Sequence, residues 1–231
     1  MRTPRRRAAI LALAFALGLE LAGQAWSHAF PPSRASAHAF PAERVVQLRA
    51  APLPVIGFLA VHTFFVAYDP REKAWHRHEV WQDPDATGLH VRRDLMPPDE
   101  GVGGAEPWID REWHGADAER IATALAATGY PYAREYLAWP GPNCNTYTAW
   151  VLRQANVGAD LPPRAVGKDY LGLAGAARTT TGTGFQLETP LLGLKLGLRD
   201  GVELHVLEAT FGLDVLPPAI KTPFGRVGFD E

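Results

Sequence analysis

The sequence predicts an α+β domain, with strands first, two helices in the middle and a second group of strands at the C-terminal end. Three observations lead there. Residues 56–68 (IGFLAVHTFFVAY) are dense in β-branched and aromatic residues. Two stretches, 116–128 and 143–155, repeat apolar residues at helical spacing. From Phe185 onward the pattern turns strand-like, and Arg199-Asp200-Gly201 supplies a hairpin turn between two apolar runs.

The chain has 231 residues, 47% hydrophobic and 21% charged, which suits a globular body that buries its own core. Lys+Arg 23 against Asp+Glu 25 gives a net charge of -2 and excludes a strongly basic nucleic-acid binder. Cys144 is the single cysteine, so an internal disulfide and a multi-cysteine metal cluster are both excluded.

The first residues read as an address. Arg2, Arg5, Arg6 and Arg7 precede an uncharged apolar run from Ala8 to Leu19; Glu20 interrupts it. This is the pattern of a secretory signal peptide, with small residues at Ala25 and Ala29 as cleavage points, or of an uncleaved anchor. Residues 1–29 are therefore expected to place the protein in the periplasm or on the inner membrane. Residues 30–43, rich in Pro, Ala and Ser, read as a linker to a single domain over 44–231.

Within that domain, Arg44–Ala50 reads as a short strand. Residues 56–68 read as a buried strand that turns at Asp69-Pro70 and returns as Ala74–Trp81. Residues 83–107 carry many Pro, Gly and Asp and read as irregular. In the first helix Ala118, Ile121, Ala122 and Leu125 share a face, Asp117 sits near its positive end, and Gly129 and Pro131 stop it. The second helix follows Pro140-Gly141-Pro142, with Asn143 as its N-cap and Tyr147, Trp150 and Val151 on one face. Leu191, Leu192, Leu194, Leu196 and Leu198 are expected to be core strand residues, or else a surface for a partner or membrane.

The chemistry centres on Cys144. At a helix start, unpaired N–H groups and the helix dipole stabilise a thiolate. A histidine within reach completes a nucleophile–base pair, and a third polar group orients it. His62 lies in the most apolar strand, where an imidazole needs a partner. On the next strand alternation puts His76 and His78 on one face and Arg77 and Glu79 on the other. Either His78 or Glu79 is a candidate to orient His62. Asn143 is a positioning residue, and N–H groups near Asn145 are candidates to hold an oxyanion. The His76-x-His78 pair lacks a third ligand at a recognisable spacing, so no metal is predicted. Thr181–Gly184 (TGTG) lacks a phosphate-loop pattern, so no nucleotide or other cofactor is predicted. Lys168-Asp169 reads as a local loop ion pair.

Several segments carry a family resemblance: A-V-H-T-F-F-V (Ala60 to Val66), H-E-V-W (His78 to Trp81), W-P-G-P-N-C-N-T-Y-T-A-W-V (Trp139 to Val151) and L-P-P-R-A-V-G-K-D-Y (Leu161 to Tyr170). With L-G-L-R-D-G-V-E-L-H-V-L and A-I-K-T-P-F-G-R-V-G near the C-terminus, they resemble DUF3750, a bacterial family of unknown function. The order of parts is similar to circularly permuted NlpC/P60-type papain-like proteins. There the histidine strand comes first and the nucleophile helix later. This likeness implies a papain-like antiparallel sheet with a nucleophile helix, Cys144 as nucleophile, His62 as base, and His78 or Glu79 as the orienting member. It implies a thiol hydrolase or acyltransferase of the cell envelope, acting on an amide, peptide or acyl bond. The alternative expectation is a non-catalytic envelope module that uses the same cleft or the leucine-rich hairpin to hold a partner, with peripheral membrane association.

Overall fold

Strand β2 (Val61–Asp69) alternates large apolar groups on both of its sides, and both sides are buried. It occupies the centre of a five-stranded antiparallel sheet. Its neighbours are β1 (Val45–Pro52) and β3 (Ala74–Val80), and the edges are β4 (Val91–Arg93) and β5 (Trp108–His114). The computed structural model describes residues 40–229. They belong to one compact unit. The proposed signal or anchor and residues 30–39 of the proposed linker lie outside the described residues.

The strand expected over 56–68 begins only at Val61. Residues before it form a turn, in which Ala60 N–H donates to Ile56 O at 2.9 Å and Leu53 N–H to Ala60 O at 3.2 Å. The chain reverses here between β1 and β2, with Pro54 and the left-handed Val55 (φ +69°) in the turn. The stretch expected to be irregular contains β4, and β5 follows it directly.

Helices α1 (Gly115–Ala126) and α2 (Cys144–Ala155) pack on one face of this sheet. Leu48 and Phe65 from the strands meet Ile121 and Leu152 from the helices in a shared core. The other face is different: Arg49 and Arg77 are buried there. The loop at 97–100 covers them and supplies acceptors. Arg49 Nη1 donates to Pro98 O at 3.0 Å and Arg77 Nη1 to Pro97 O at 3.2 Å and to Glu100 O. A guanidinium can be buried only when its donors are met in this way.

The C-terminal strands form a seven-stranded antiparallel meander, in the order β12-β11-β10-β9-β8-β7-β6. It starts at β6 (Gly175–Arg178) and β7 (Gly184–Glu188), continues through β8 (Leu192–Gly197), β9 (Gly201–Val206) and β10 (Ala209–Val215), and ends with β11 (Pro218–Thr222) and β12 (Gly225–Gly228). The protein is thus an α+β structure with two antiparallel sheets and two helices.

The burial of this second sheet reverses the usual order. Glu188, Lys195, Glu203, His205 and Lys221 point inward and are buried, while Leu191 (62% exposed), Leu192 (59%) and Leu198 (73%) face outward. The expectation of core leucines is therefore overturned. The cause is a buried charge network. Lys195 Nζ lies 2.8 Å from Asp169 Oδ1 and 3.3 Å from Asp160 Oδ2; Lys221 Nζ lies 2.8 Å from Asp214 Oδ1. Lys168 pairs with Asp169 and with Glu203 (3.3 Å), so the expected local loop pair is part of this interior. Burial alone would neutralise these groups, but their mutual charges hold the carboxyls of Asp160 and Glu203 down and the ammonium of Lys195 up.

Lys195→Ala leaves Asp160 and Asp169 short of a counter-charge in a dry interior, and it should destabilise the fold by about 3–5 kcal/mol, read from urea unfolding. His205 answers to pH. Burial opposes its charge, but Asp169, Glu188 and Glu203 hold it protonated and push it up from 6.5 to about 9. Its stabilising contribution is complete below 6.5 and is lost as pH rises through about 9. Glu208, pushed up to about 8 by burial and by Asp169 and Glu188, acts in the same direction. The thermal midpoint should fall as pH rises over that window, and less steeply in His205→Gln.

Candidate active site

Pro142 and Asn143 end the loop ahead of α2, and Asn143 caps it. Its Oδ1 accepts from Asn145 N–H at 2.9 Å and Thr146 N–H at 3.2 Å, and Thr146 Oγ1 accepts from Asn143 N–H at 3.0 Å. This is a reciprocal capping box. Asn143 Nδ2 also donates to Ala138 O and Val166 O, both at 3.0 Å. Gly167 lets the second loop come this close: a Cβ there would lie 2.3 Å from Asn143 Nδ2, and its φ of +87° is one that glycine favours.

Cys144 is the first residue of α2 and is 6% exposed. Asn145 joins its turn to β2. The Asn145 amide donates to Val61 O at 3.0 Å and Val166 O at 2.8 Å, and accepts from Thr63 N–H at 3.1 Å and Thr63 Oγ1 at 2.8 Å. His62 lies between those two residues of β2. The Cys144 thiol donates to Asn145 Oδ1 at 3.7 Å and lies within electrostatic reach of the His62 ring, and Glu79 Oε2 lies 2.8 Å from His62 Nε2. Trp81 meets the imidazole edge-on, ring centres 5.5 Å apart, and Phe64 stacks on it at 5.7 Å.

Glu79 is fully buried, and Arg77 Nη2 donates to its Oε2 at 2.7 Å. Arg77 lies over the Phe64 ring at 3.8 Å. Arg77, Glu79 and His62 form a chain in which each group restrains the next. Burial works against charge on His62. Cys144 and Glu79 beside it outweigh that cost and push the imidazole up to about 9. His62 and Arg77 hold the Glu79 carboxyl below its usual range despite burial.

Of the two residues offered, the structure places Glu79 beside His62 and His78 away from it. His78 pairs with Phe65, on the face turned to the helices, so it does not reach His62. Burial and Arg93 push it down to about 4, which leaves it neutral. The oxyanion expectation also changes. The N–H groups of Asn145 and Thr146 are engaged by Asn143 Oδ1, and Tyr147 N–H donates to Asn143 O at 3.1 Å. Cys144 N–H is the first-turn donor left without a hydrogen bond among the described residues. Sequence reasoning gave Arg77 and Trp81 no role. The alternation of β3 placed Arg77 beside Glu79, and that was the available signal.

Asp169, Glu188 and His205 bring ligand-type atoms within 4.8 Å of one another in the second sheet's interior. Lys168 and Lys195 already neutralise them there.

Fold and site together define an α+β protein with a buried Cys–His–Glu constellation at the junction of a helix and a sheet. The family described as protein of unknown function (DUF3750) matches residues 43–170, more than half of the chain, and the chain belongs to that family. The match holds Cys144, His62 and Glu79 and ends before β6. No curated protein and no solved structure matches the chain.

Asn143→Ala removes the cap and the two Nδ2 bonds, and should lower unfolding free energy by about 1–2 kcal/mol. Asn143→Asp keeps the acceptor and should fall between alanine and the wild type in the same urea titration.

Proposed function

We propose that the protein is a papain-like thiol hydrolase or acyltransferase of the circularly permuted NlpC/P60 type, working in the cell envelope on an amide, peptide or acyl bond. The observation that carries this reading is the buried pair of His62 with Glu79 at 2.8 Å, with Cys144 beside it at the start of the helix. The chain order supports it, since the histidine strand precedes the cysteine helix. So does the cationic apolar segment at the N-terminus, which fits export.

The residues divide the work as follows. The Cys144 thiolate, its proton held by His62, attacks the carbonyl carbon; an S–C bond forms and the carbonyl electron pair moves to oxygen. Cys144 N–H donates to that oxygen. The tetrahedral centre collapses, the bond to the leaving group breaks, and His62 gives its proton to the leaving atom. Water, or an acceptor amine or hydroxyl, then attacks the thioester while His62 takes its proton, and the thiolate departs. Glu79 keeps the imidazole turned toward sulfur and steadies its positive form. Arg77 fixes Glu79.

The 6% exposure of Cys144 favours a second reading, a non-catalytic envelope module on the same fold. Alkylation separates the two. Under the catalytic reading, iodoacetamide labels Cys144 in the folded protein, and the pH profile of labelling moves in His62→Ala. Slow labelling that is the same in both proteins contradicts it and leaves the module. On an acyl or peptide substrate, His62→Ala should lower turnover by about 10²–10⁴-fold, the size of acid–base assistance, and Cys144→Ala should abolish it. Because His62 must be protonated to serve the leaving group, activity should fall as pH rises through about 9.

A further inference from the structure

The outer face of the second sheet has no part in that chemistry. Phe185, Leu194, Leu204, Phe211, Leu213 and Ile220 stand on it, between 36% and 60% exposed. Seven strands about 4.8 Å apart spread this apolar surface over roughly 30 Å. It continues onto the turns at Leu198 (73%), Leu207 (53%) and Leu216 (63%). Soluble monomers seldom leave a contiguous apolar patch beyond about 300–600 Å² uncovered.

Charge identifies the occupant. Every acid between residues 175 and 229 is buried: Glu188, Asp200, Glu203, Glu208 and Asp214. The exposed charges in that span are Arg178, on β6 opposite Phe185, and Arg199, in the turn between β8 and β9, one of whose nitrogens donates to Gly158 O at 3.1 Å. An apolar face with cationic groups and, among the described residues, no exposed acid is complementary to a layer of anionic headgroups over hydrocarbon. A second copy of the chain would bring arginines toward arginines. The cationic apolar segment at residues 2–25 is an independent, membrane-directed feature of the sequence. We propose that the outer face of the seven-stranded sheet docks on an anionic lipid surface, with its leucines in the headgroup–acyl boundary and Arg178 and Arg199 on the phosphates.

The test uses the full chain, with Cys144→Ala so that one introduced thiol carries an environment-sensitive dye. Leu213→Cys puts the dye on the sheet face. Ala116→Cys puts it on α1, where residue 116 is exposed. Vesicles are phosphatidylcholine with phosphatidylglycerol, with and without a spin-labelled acyl chain. Docking predicts a blue shift and quenching at 213 with little change at 116, and a weaker response on pure phosphatidylcholine. Vesicle binding through the N-terminal segment alone leaves both dyes unquenched and overturns the proposal. Equal quenching at 116 and 213 overturns it as well. A dye at 213 already shifted without lipid, in a chain that sediments as a dimer, assigns the face to a second copy.

Discussion

The amide of Asn145 fixes where the first turn of α2 meets β2. A buried primary amide has two donors and an acceptor oxygen, and each finds a partner in this one position. Shifting α2 by a residue would strand all of them in a dry interior, at a cost of about 1–3 kcal/mol for each group. Val61 and Thr63 flank His62, so the same bonds that seat the helix also set the distance from Cys144 to the imidazole. Thr148 Oγ1, 3.0 Å from Thr63 Oγ1, reinforces the seat by donating back to Cys144 O at 3.0 Å. The candidate site is a by-product of this junction: a cap holds the helix start, and an amide holds the helix to the strand.

In both sheets buried charges are set against opposite charges, even though single atoms such as Arg77 Nε and Glu79 Oε1 go without a hydrogen bond among the described residues. On the first sheet this yields a directed chain, Arg77 to Glu79 to His62, which ends beside the thiol. On the second it yields a network of lysines, carboxylates and His205 that pair with one another. The first arrangement ends beside a thiol and the second does not, although both contain a buried histidine with a raised pKa. A shifted histidine alone would not distinguish them; the neighbouring nucleophile does. The inward turn of the charged face also explains why the leucines of the second sheet meet the outside. A strand with period two must send one set of side chains each way, and Asp160 and Asp169, arriving from the loops after α2, attract the lysine face inward.

Much of the candidate site was legible in the chain. Pro140-Gly141-Pro142-Asn143 announces a capped helix, so Cys144 falls at its start. The apolar run around His62 announces a buried strand, and alternation separates Glu79 from His78. Register was not legible. Only the pairing of Phe65 with His78 shows which face of β3 turns to His62. The core of the second sheet was not legible either. Its alternation is visible in Leu192–Gly197, but nothing local says whether leucine or lysine faces inward. That depends on carboxylates more than twenty residues away. Strand β5 escaped because its charged residues, Asp110, Arg111 and Glu112, lie on an edge strand. The free Cys144 N–H escaped because the cap that makes the helix also occupies the donors of Asn145 and Thr146.

The account stands on an electrostatic coupling between Cys144 and His62, and the titration of His62 reports it most directly. Ring-proton NMR of the wild type against Cys144→Ala reads that coupling without a substrate. The account predicts a midpoint near 9 for His62 in the wild type and a clear fall in the variant, since Glu79 alone must then offset burial. An unchanged midpoint in Cys144→Ala would contradict it, because His62 would then answer only to Glu79 and the thiol would be a bystander.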